Sequence, residues 1–246
     1  MLTNQTCLVT GGSRGIGRGI ALDLARNGAT VVVNYRSSEA EAAAVVDEIE
    51  ANGGTAVSLQ CDVSNYDEVS GMCERVHDLV GPVDVLVNNA GITVDKTFKS
   101  MTREDWDRVI DVNLGGVFNC TNCFFDDLLE AEHGRLINIS SVVGQQGNYG
   151  QANYATTKSG LFGFTRTIAL EMARYNSTAN CVAPGFVRTE MLETVPDRVQ
   201  EKILSRIPLG RFAEVDDITG MVSYIASAQS AYMTGQILSV NGGMEW

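Results

Sequence analysis

Histidine and lysine are scarce in this chain of 246 residues. It has 2 histidines, His77 and His133, and neither stands in a recognisable motif. Histidine supplies the general base of many hydrolases and the zinc ligands of metal-dependent alcohol dehydrogenases. The shortage therefore counts against both classes of enzyme, and we predict no metal site.

Acidic residues outnumber the basic ones. The chain has 18 Lys+Arg against 30 Asp+Glu, a net charge of -12, and lysine only at positions 96, 99, 158 and 202. Nucleic acid and anionic membranes are bound through basic surfaces, so we expect neither as a partner. An acidic surface poor in lysine also suits a cytoplasm of high salt concentration, as in a halophilic organism.

Long apolar runs are absent as well, and we expect no export signal. No run approaches the roughly 20 apolar residues that span a bilayer, and the first residues do not resemble a signal peptide. We therefore expect a cytoplasmic protein whose six cysteines are reduced. Cys120 and Cys123 form a C-x-x-C motif without a second Cys/His pair, which favours core packing over a metal or redox role.

Short runs of Val, Ile and Leu alternate with segments of helical period. This pattern is typical of an α/β fold in which helices cover both faces of a doubly wound parallel sheet. The clearest helix is Glu39–Ala51, which Asn52-Gly53-Gly54 should end. Seven strands are predicted, at Thr6–Thr10, Thr30–Asn34, Thr55–Gln60, Val83–Val87, Arg135–Ser140, Ser177–Val182 and Gln236–Val240.

No internal repeat or linker divides the chain, so we predict one domain over residues 1–246. Its least regular part is Pro184 to Arg211, which holds three of the four prolines. A loop of that length in a compact domain is often a lid, and we predict a substrate loop at about 186–211.

A glycine-rich turn, Thr10-Gly-Gly-Ser-Arg-Gly-Ile-Gly17, follows the first predicted strand and precedes a helix. Glycines let the backbone approach a pyrophosphate, and a helix N-terminus offers free N–H groups. A purely steric need for glycine is the alternative. The position after the first strand of an alternating chain favours dinucleotide binding.

Further motifs follow the later strands in order. They are Asn88-Asn89-Ala90-Gly91 after the fourth strand, Asn113 in the next helix, Ser141 after the fifth strand, Tyr154-x-x-x-Lys158 in the helix after it, and Pro184-Gly185 after the sixth. With the G-x-x-x-G-x-G spacing of the glycine turn, the chain resembles the short-chain dehydrogenase/reductase family over essentially its whole length. The resemblance implies a Rossmann-type fold and a nicotinamide-dependent oxidoreductase acting on a CH–OH/C=O group.

The resemblance also assigns the catalytic roles. Tyr154 would donate the proton, Ser141 would orient the substrate carbonyl, Lys158 would hold the nicotinamide ribose, and Asn113 would keep a water in the proton relay. Tyr154 and Lys158 lie four residues apart and so share one helix face. We expect the Lys158 ammonium to lower the pKa of the phenol towards neutrality. The alternative, an exposed Tyr–Lys pair, is disfavoured by Ser141 thirteen residues before Tyr154.

The end of the second strand indicates which nicotinamide is used. Enzymes that bind NAD usually place a carboxylate there, but this chain has no acid until Glu39. Arg36 and Arg14 would pair with the 2′-phosphate of NADP, unless both are simply solvated. We therefore predict NADPH/NADP+. The predicted cofactor-binding residues are Gly11, Ser13, Arg14, Gly15, Ile16, Gly17, Arg36, Asp62, Val63, Asn89, Ala90, Gly91, Tyr154, Lys158, Pro184, Gly185, Val187 and Thr189. Asp62 and Val63 resemble the adenine contact of the family, although Asp62, as an exposed loop acid, could equally form a turn.

Residues 141–154, 208–212 and 240–244 are similar to the 3-oxoacyl-thioester reductases of this family, which act on acyl carrier protein in fatty-acid synthesis or on acetoacetyl-CoA in polyhydroxyalkanoate synthesis. Acyl carrier protein is acidic, so its reductases tend to present arginines. Here residues 129–133 carry two acids, and Tyr175 stands at the other expected basic position. We therefore favour a CoA thioester, although Arg174 could offset the acids. Met191, Leu192 and Val195 would form an apolar wall for the acyl chain or anchor a helix.

Two other functions stay open. The substrate could be another ketone or alcohol, such as a sugar or a steroid, because the fold hosts many carbonyls. A nicotinamide-binding sensor without chemistry is the second, and the intact Ser141, Tyr154 and Lys158 disfavour it. The resemblance also implies a homotetramer, joined through helices at Thr102–Leu129 and Ala152–Tyr175. The sequence does not indicate product stereochemistry, acyl-chain length or physiological direction.

Overall fold

The computed structural model describes residues 1–193 and 195–245 and places seven strands in one sheet. The strands are β1 (Thr6–Val9), β2 (Thr30–Tyr35), β3 (Thr55–Gln60), β4 (Val85–Asn88), β5 (Arg135–Ile139), β6 (Thr178–Pro184) and β7 (Ile237–Val240). Their order is β3-β2-β1-β4-β5-β6-β7, and every neighbouring pair is parallel. The predicted α/β fold with a doubly wound Rossmann-type sheet is confirmed.

The strands are apolar because both faces of the sheet are covered. In β1, Cys7 and Val9 belong to one hydrophobic cluster, and Leu8, which points the other way, belongs to a second. Val31 and Val32 of β2 divide in the same manner. Side chains alternate between the faces of a strand, so a strand covered on both sides needs an unbroken apolar run.

The helices form one layer on each face. They are α1 (Gly15–Arg26), α2 (Glu39–Ala51), α3 (Tyr66–Val80), α4 (Arg103–Ile110), α5 (Gly116–Cys123), α6 (Phe125–Glu130), α7 (Val142–Gln146), α8 (Ala152–Met172), α9 (Glu190–Glu193), α10 (Asp197–Leu204) and α11 (Asp216–Ala226). Helices α1, α2 and α11 bury Ile20, Val45 and Val222 against one face. On the other face, α3 and α8 contribute Val76 and Met172. No helix among the described residues is both long and apolar enough to cross a membrane.

The helix predicted at Thr102–Leu129 is wrong as a single element. After α4 the chain makes a π-helical turn at Asp111–Gly115, continues as α5, and breaks at Phe124 before α6. Phe124 leaves helical geometry with φ -101° and ψ 11°, and its side chain is fully buried. A π turn inserts an extra residue into a helix and is often found at functional sites. This turn carries Asn113.

The other predicted boundaries are close to the observed ones. Helix α2 has the predicted ends, and the helix predicted at Ala152–Tyr175 ends as a 3₁₀ turn at Ala173–Tyr175. The predicted strand Val83–Val87 instead occupies Val85–Asn88. Its first residue is held from outside the sheet, because the Val83 N–H donates to the Asp127 carboxylate at 3.0 Å.

The predicted substrate loop contains two short helices, α9 and α10, and contributes most members of a small hydrophobic cluster. Leu192, Ile207 and Phe212 are the buried members, and Val195 packs against them. This placement favours the anchoring alternative for Leu192 and Val195, while the side chain of Met191 lies outside the described residues. An ion pair between Arg188 and Glu214 at 3.0 Å joins the start of the loop to the segment just after its end.

Candidate active site

A cleft of about 870 Å³ runs along the carboxyl ends of the strands. In doubly wound sheets this edge, where the strand order reverses, is the usual ligand site. The reversal lies here between β1 and β4. Fifteen of the eighteen predicted cofactor residues line the cleft: Gly11, Ser13, Arg14, Gly15, Ile16, Gly17, Arg36, Asp62, Val63, Asn89, Ala90, Gly91, Tyr154, Lys158 and Thr189.

The glycine turn is packed too tightly for side chains. Gly11 and Gly15 have positive φ values of 61° and 54°, a conformation that favours glycine. A Cβ on Gly17 would lie 2.2 Å from the Gly11 carbonyl oxygen and 2.4 Å from Asn89 Nδ2. Glycine at these positions is therefore required by the turn itself, which presents its backbone to the cleft.

Two asparagines hold this turn in place. Asn89 Nδ2 donates to the carbonyl oxygens of Thr10 and Gly11 at 2.9 and 3.1 Å. The buried Asn34 accepts the Gly11 N–H at 3.2 Å and donates to the Cys61 carbonyl at 3.1 Å. Asn34 was not among the predicted site residues. Its only signal in the sequence is a lone amide at the end of an otherwise apolar strand.

The start of α1 is suited to an anion. Arg14 precedes the helix without a side-chain cap, and the first turn contains no acidic residue. The first N–H groups of a helix lack intrahelical partners and carry positive potential. Since this end of α1 lines the cleft beside the glycine turn, the residues present fit the pyrophosphate of a dinucleotide.

Arg36 lines the cleft directly after β2. Its guanidinium Nη1 is 3.9 Å from Asp62 Oδ2, and about half of its side chain is exposed. Asp62 also accepts hydrogen bonds from the N–H and hydroxyl of Ser64. Arg36 is therefore free to turn towards a ligand, because an exposed ion pair of this length holds it only weakly.

Tyr154 and Lys158 lie together in the same cleft. Lys158 Nζ is 5.6 Å from the centre of the Tyr154 ring and donates to the Ile139 carbonyl at 2.7 Å. Helix α8 carries both residues, and the Ser140 hydroxyl donates to the Lys158 carbonyl at 2.7 Å. The structure thus brings the predicted Tyr–Lys pair to one point of the cleft.

The predicted lowering of the tyrosine pKa is wrong for this structure. Burial raises the pKa of Tyr154 to about 12, a shift that the Ser141 hydroxyl partly opposes and the Asp95 carboxylate reinforces. Burial also lowers the pKa of Lys158 to about 8. The cause is desolvation, which disfavours the charged form of either group. Because Lys158 points its amine at the Ile139 carbonyl, its charge does not outweigh the burial of the phenol.

Ser141 and Asn113 stand beside the cleft and do not line it. Ser141 begins α7, where its hydroxyl accepts the Val143 N–H at 3.1 Å, and its influence on the pKa of Tyr154 shows that the two are neighbours. Asn113 is fully buried and binds both the N–H and the carbonyl of Ile92. A Cβ on Gly91 would lie 3.4 Å from Asn113 Oδ1 and 3.5 Å from Lys158 Nζ, so these two groups flank Gly91.

Three predicted cofactor residues are not part of the cleft lining. Pro184 ends the buried strand β6, and Val187 packs into the core through its bridge to Ala213. Gly185 lines a smaller cavity of about 120 Å³ under the base of the substrate loop. Their approach to a cofactor remains a prediction.

The cysteines do not form a site. All six are free thiols, and Cys7, Cys61, Cys120 and Cys181 are buried. His77 Nε2 lies 2.7 Å from Asp127 Oδ2 and 3.8 Å from Cys73 Sγ. One nitrogen serves both contacts, so the trio lacks the two-nitrogen relay of a Cys–His–Asp hydrolase. Across residues 1–193 and 195–245, no three His, Cys, Asp or Glu side chains are grouped to hold a metal ion.

A family model described as enoyl-(acyl carrier protein) reductase matches residues 11–245, which is nearly the whole chain. The chain belongs to the short-chain dehydrogenase/reductase family. As a short-chain dehydrogenase/reductase it is an oxidoreductase that acts on a CH–OH/C=O group.

This short-chain dehydrogenase/reductase is similar to three relatives over almost its full length. The 3-oxoacyl-[acyl-carrier-protein] reductase FabG of Staphylococcus aureus is 48% identical over 244 residues, which are 99% of both chains. The 3-oxoacyl-[acyl-carrier-protein] reductase of Synechocystis sp. is 49% identical over 99% of this chain and 98% of its own. The acetoacetyl-CoA reductase of Allochromatium vinosum is 46% identical over 98% of both.

Proposed function

We propose that this chain reduces 3-oxoacyl thioesters to 3-hydroxyacyl thioesters with NADPH, and that acetoacetyl-CoA is the favoured substrate. The observation that carries the proposal is the pairing of Tyr154 with Lys158 in a cleft that also holds Arg36. In this proposal Tyr154 is the acid for the carbonyl and Arg36 is the cation for a phosphate, and both line the same cleft.

The chain would hold NADPH along the whole cleft. The glycine turn and the N-terminus of α1 bind the pyrophosphate, Arg14 and Arg36 the 2′-phosphate, and Asp62 and Val63 the adenine. Lys158 binds the ribose at the nicotinamide end. When bound, the cofactor supplies the hydride that reduces the carbonyl carbon.

The side chains around Tyr154 supply the proton. With its pKa raised to about 12, the phenol is protonated at neutral pH and is ready to donate to the carbonyl oxygen as negative charge develops there. The Ser141 hydroxyl hydrogen-bonds the same oxygen and orients it. Lys158 is mainly cationic below about pH 8 and stabilises the phenolate that remains after transfer. Asn113 keeps a water near Lys158 that returns a proton from solvent.

Arg36 would set the preference for NADPH. Its guanidinium can form paired hydrogen bonds to a phosphate, whereas a carboxylate at that position would repel it. We expect Arg36→Asp to raise the KM for NADPH by about 10-fold to 100-fold, as loss of one charge-assisted hydrogen bond predicts. The KM for NADH should not rise. Arg75→Asp, the same charge change on the exposed side of α3, should alter neither.

The surface near residues 129–133 supports CoA over acyl carrier protein as the carrier. The Glu132 side chain is 92% exposed. The neighbouring Ser177 hydroxyl donates to the Leu128 carbonyl, so residues 174–177 adjoin these acids. Arg174 stacks on the Tyr175 ring at 4.8 Å and donates to its hydroxyl at 2.9 Å, which limits its reach towards a partner. An acidic carrier would meet acids here, and like charges weaken association.

A grid of cofactors and substrates tests the proposal. NADPH consumption is followed with acetoacetyl-CoA, acetoacetyl-acyl carrier protein, crotonyl-CoA and free ketones, each also with NADH. We expect the highest kcat/KM with NADPH and acetoacetyl-CoA and no reduction of the crotonyl double bond. Preference for the acyl carrier protein thioester would overturn the choice of carrier. Activity on free ketones alone would favour the broader alternative, and no turnover at all would refute the reductase.

We include a homotetramer in this proposal. Phe118 on α5 and Leu170 on α8 are 53% and 81% exposed, and these helices belong to the two segments predicted to form the interface. Large apolar side chains exposed on the surface are typical of subunit contacts. Light scattering should give about four times the monomer mass of 26.5 kDa, and a monomer would contradict the assembly.

A further inference from the structure

Asn153, the residue before Tyr154, has no assigned role and is fully buried. Both polar atoms of its side-chain amide, Nδ2 and Oδ1, form hydrogen bonds with backbone groups. Nδ2 donates to the carbonyls of Val94 and Asp105 at 3.1 and 3.2 Å, and Oδ1 accepts the Tyr154 N–H at 2.8 Å. One side chain thus binds the first turn of α8 to α4 and to the segment after β4.

The segment after β4 forms one wall of the cleft. Gly91, Ile92 and Thr93 line it, directly before Val94. The same segment is bound to the start of α8 by two further contacts: Lys96 N–H donates to the Gly150 carbonyl at 2.9 Å, and Gln151 donates to both Asp95 oxygens at 3.0 Å. The contact between Gln151 and Asp95 is exposed and Lys96 is an exposed residue, whereas the side chain of Asn153 is fully buried. Burial makes its bonds the most costly of the set to leave unmade.

Helix α4 is itself fixed where Asn153 binds it. Asp105 closes a capping box with Thr102, and its carboxylate accepts two hydrogen bonds from Lys96. The Asp105 carbonyl, which accepts a hydrogen bond from the Asn153 amide, therefore belongs to a helical turn that these contacts fix in place. By contrast, α8 begins without a side-chain cap from the preceding residue Gln151. Asn153 supplies the acceptor that the first turn of α8 otherwise lacks.

We propose that Asn153 is a positioning residue, which fixes Tyr154 relative to the cleft by clamping the first turn of α8 to α4 and to residues 91–94. The inference rests on the proposed function, in which Tyr154 donates the proton. It assigns Asn153 no contact with substrate. Without the clamp, the first turn of α8 loses its fixed distance from the cleft wall formed by residues 91–93.

The test uses Asn153→Ala and Asn153→Asp in the full-length protein. Alanine removes all three bonds, and aspartate keeps the acceptor for the Tyr154 N–H but loses both donors. We expect kcat to fall by about 10-fold to 100-fold in Asn153→Ala, the effect of a displacement near 1 Å at a reacting group. The KM values for NADPH and acetoacetyl-CoA should change by less than about 3-fold, because the groups that bind them are untouched. Asn153→Asp should lose kcat to a similar extent.

Asn180→Ala is the matched control. Asn180 is also buried, and its amide likewise joins backbone groups of a neighbouring segment, at Met233 and Gln236. The Asn180→Ala substitution should lower the melting temperature about as much as Asn153→Ala does and should leave kcat unchanged. If both variants lose kcat in proportion to stability, Asn153 is merely structural and the inference is wrong.

Hydrogen exchange gives a readout that does not need activity. The peptide covering residues 150–156 should exchange faster in Asn153→Ala than in the parent, and Asn180→Ala should leave it unchanged. Unaltered exchange, or a parental kcat in Asn153→Ala, would overturn the inference. A parent without reductase activity would refute the proposed function instead, and the exchange experiment would still decide whether Asn153 clamps α8.

Discussion

Gly17→Ala tests whether the glycine turn is as tight as the contacts around it indicate. The added Cβ would lie 2.2 Å from the Gly11 oxygen and 2.4 Å from Asn89 Nδ2, well inside ordinary van der Waals contact. Either the backbone of the turn or the Asn89 side chain must move by about 1 Å to relieve this overlap. The Asn89 hydrogen bonds to Thr10 and Gly11 would be strained or broken.

Overpacking of this kind costs about 1–3 kcal/mol, and a lost hydrogen bond adds about 1 kcal/mol. For a chain of this size, 2–4 kcal/mol corresponds to a fall in Tm of roughly 5–15 °C. The turn also presents the N–H groups that would bind pyrophosphate. Loss of one charge-assisted hydrogen bond should raise the Kd for NADPH by about 10-fold to 100-fold.

The measurements are thermal unfolding and NADPH titration by fluorescence. Gly71→Ala is the control, because Gly71 lies within α3 and a Cβ there would meet nothing within 4 Å. It should leave NADPH binding unchanged and stabilise the protein by about 0.5–1 kcal/mol, since alanine is the better helix former. A Gly17→Ala variant with parental Tm and Kd would refute the argument from packing.

Three further predictions follow from the site and the core. Burial lowers the pKa of Lys158 to about 8. The rate of carbonyl reduction should therefore be constant below that pH and fall above it, because the amine loses its charge. A rate that is still constant at about pH 10 would contradict a role for the ammonium. Tyr154→Phe should lower kcat by about 10²-fold to 10⁴-fold with little change in NADPH affinity. The control variant Tyr149→Phe, at an 87% exposed position, should have no effect. Equal kcat values in the two variants would exclude Tyr154 as the acid. Only Cys73 and Cys123 of the six thiols are partly exposed, and burial raises the pKa of Cys73 to about 12. Ellman's reagent should therefore label at most two thiols, slowly, in the native protein and all six in denaturant. Rapid labelling of more than two thiols in the native protein would contradict the burial of the other four.

The elements that local signals define could be predicted from the sequence. Helix α2 has the predicted ends because Asn52-Gly53-Gly54 stops it, with Gly53 at φ 80°. The strands could be found because a sheet covered on both faces imposes apolar runs. The glycine turn and the Tyr–Lys pair depend on spacing alone, and the structure brings both to the cleft.

What could not be predicted depends on contacts between distant residues. The interruption of the helix around Asn113 has only a weak local signal, because Asp111–Gly115 contains no proline and the pair Gly115-Gly116 weakens a helix without specifying a π turn. The pKa of Tyr154 rises because of burial, and the helical spacing that suggested the opposite shift says nothing about burial. Asn34 and Asn153 become meaningful only when their partners are known, and these lie 23 to 59 residues away for most of their bonds.

The small hydrophobic cluster around Leu192, Ile207 and Phe212 is distinct from the two clusters that cover the faces of the sheet, and Val187, at the start of the predicted substrate loop, belongs to one of those two. Such a segment can be exchanged as one unit between related proteins. Grafting residues 190–212 from a reductase with another acyl preference would replace most of this cluster and would keep Val187 and Thr189, two of the predicted cofactor-binding residues. The substrate range of this fold can therefore change by recombination at two fixed junctions. Compensating substitutions elsewhere in the fold would not be needed.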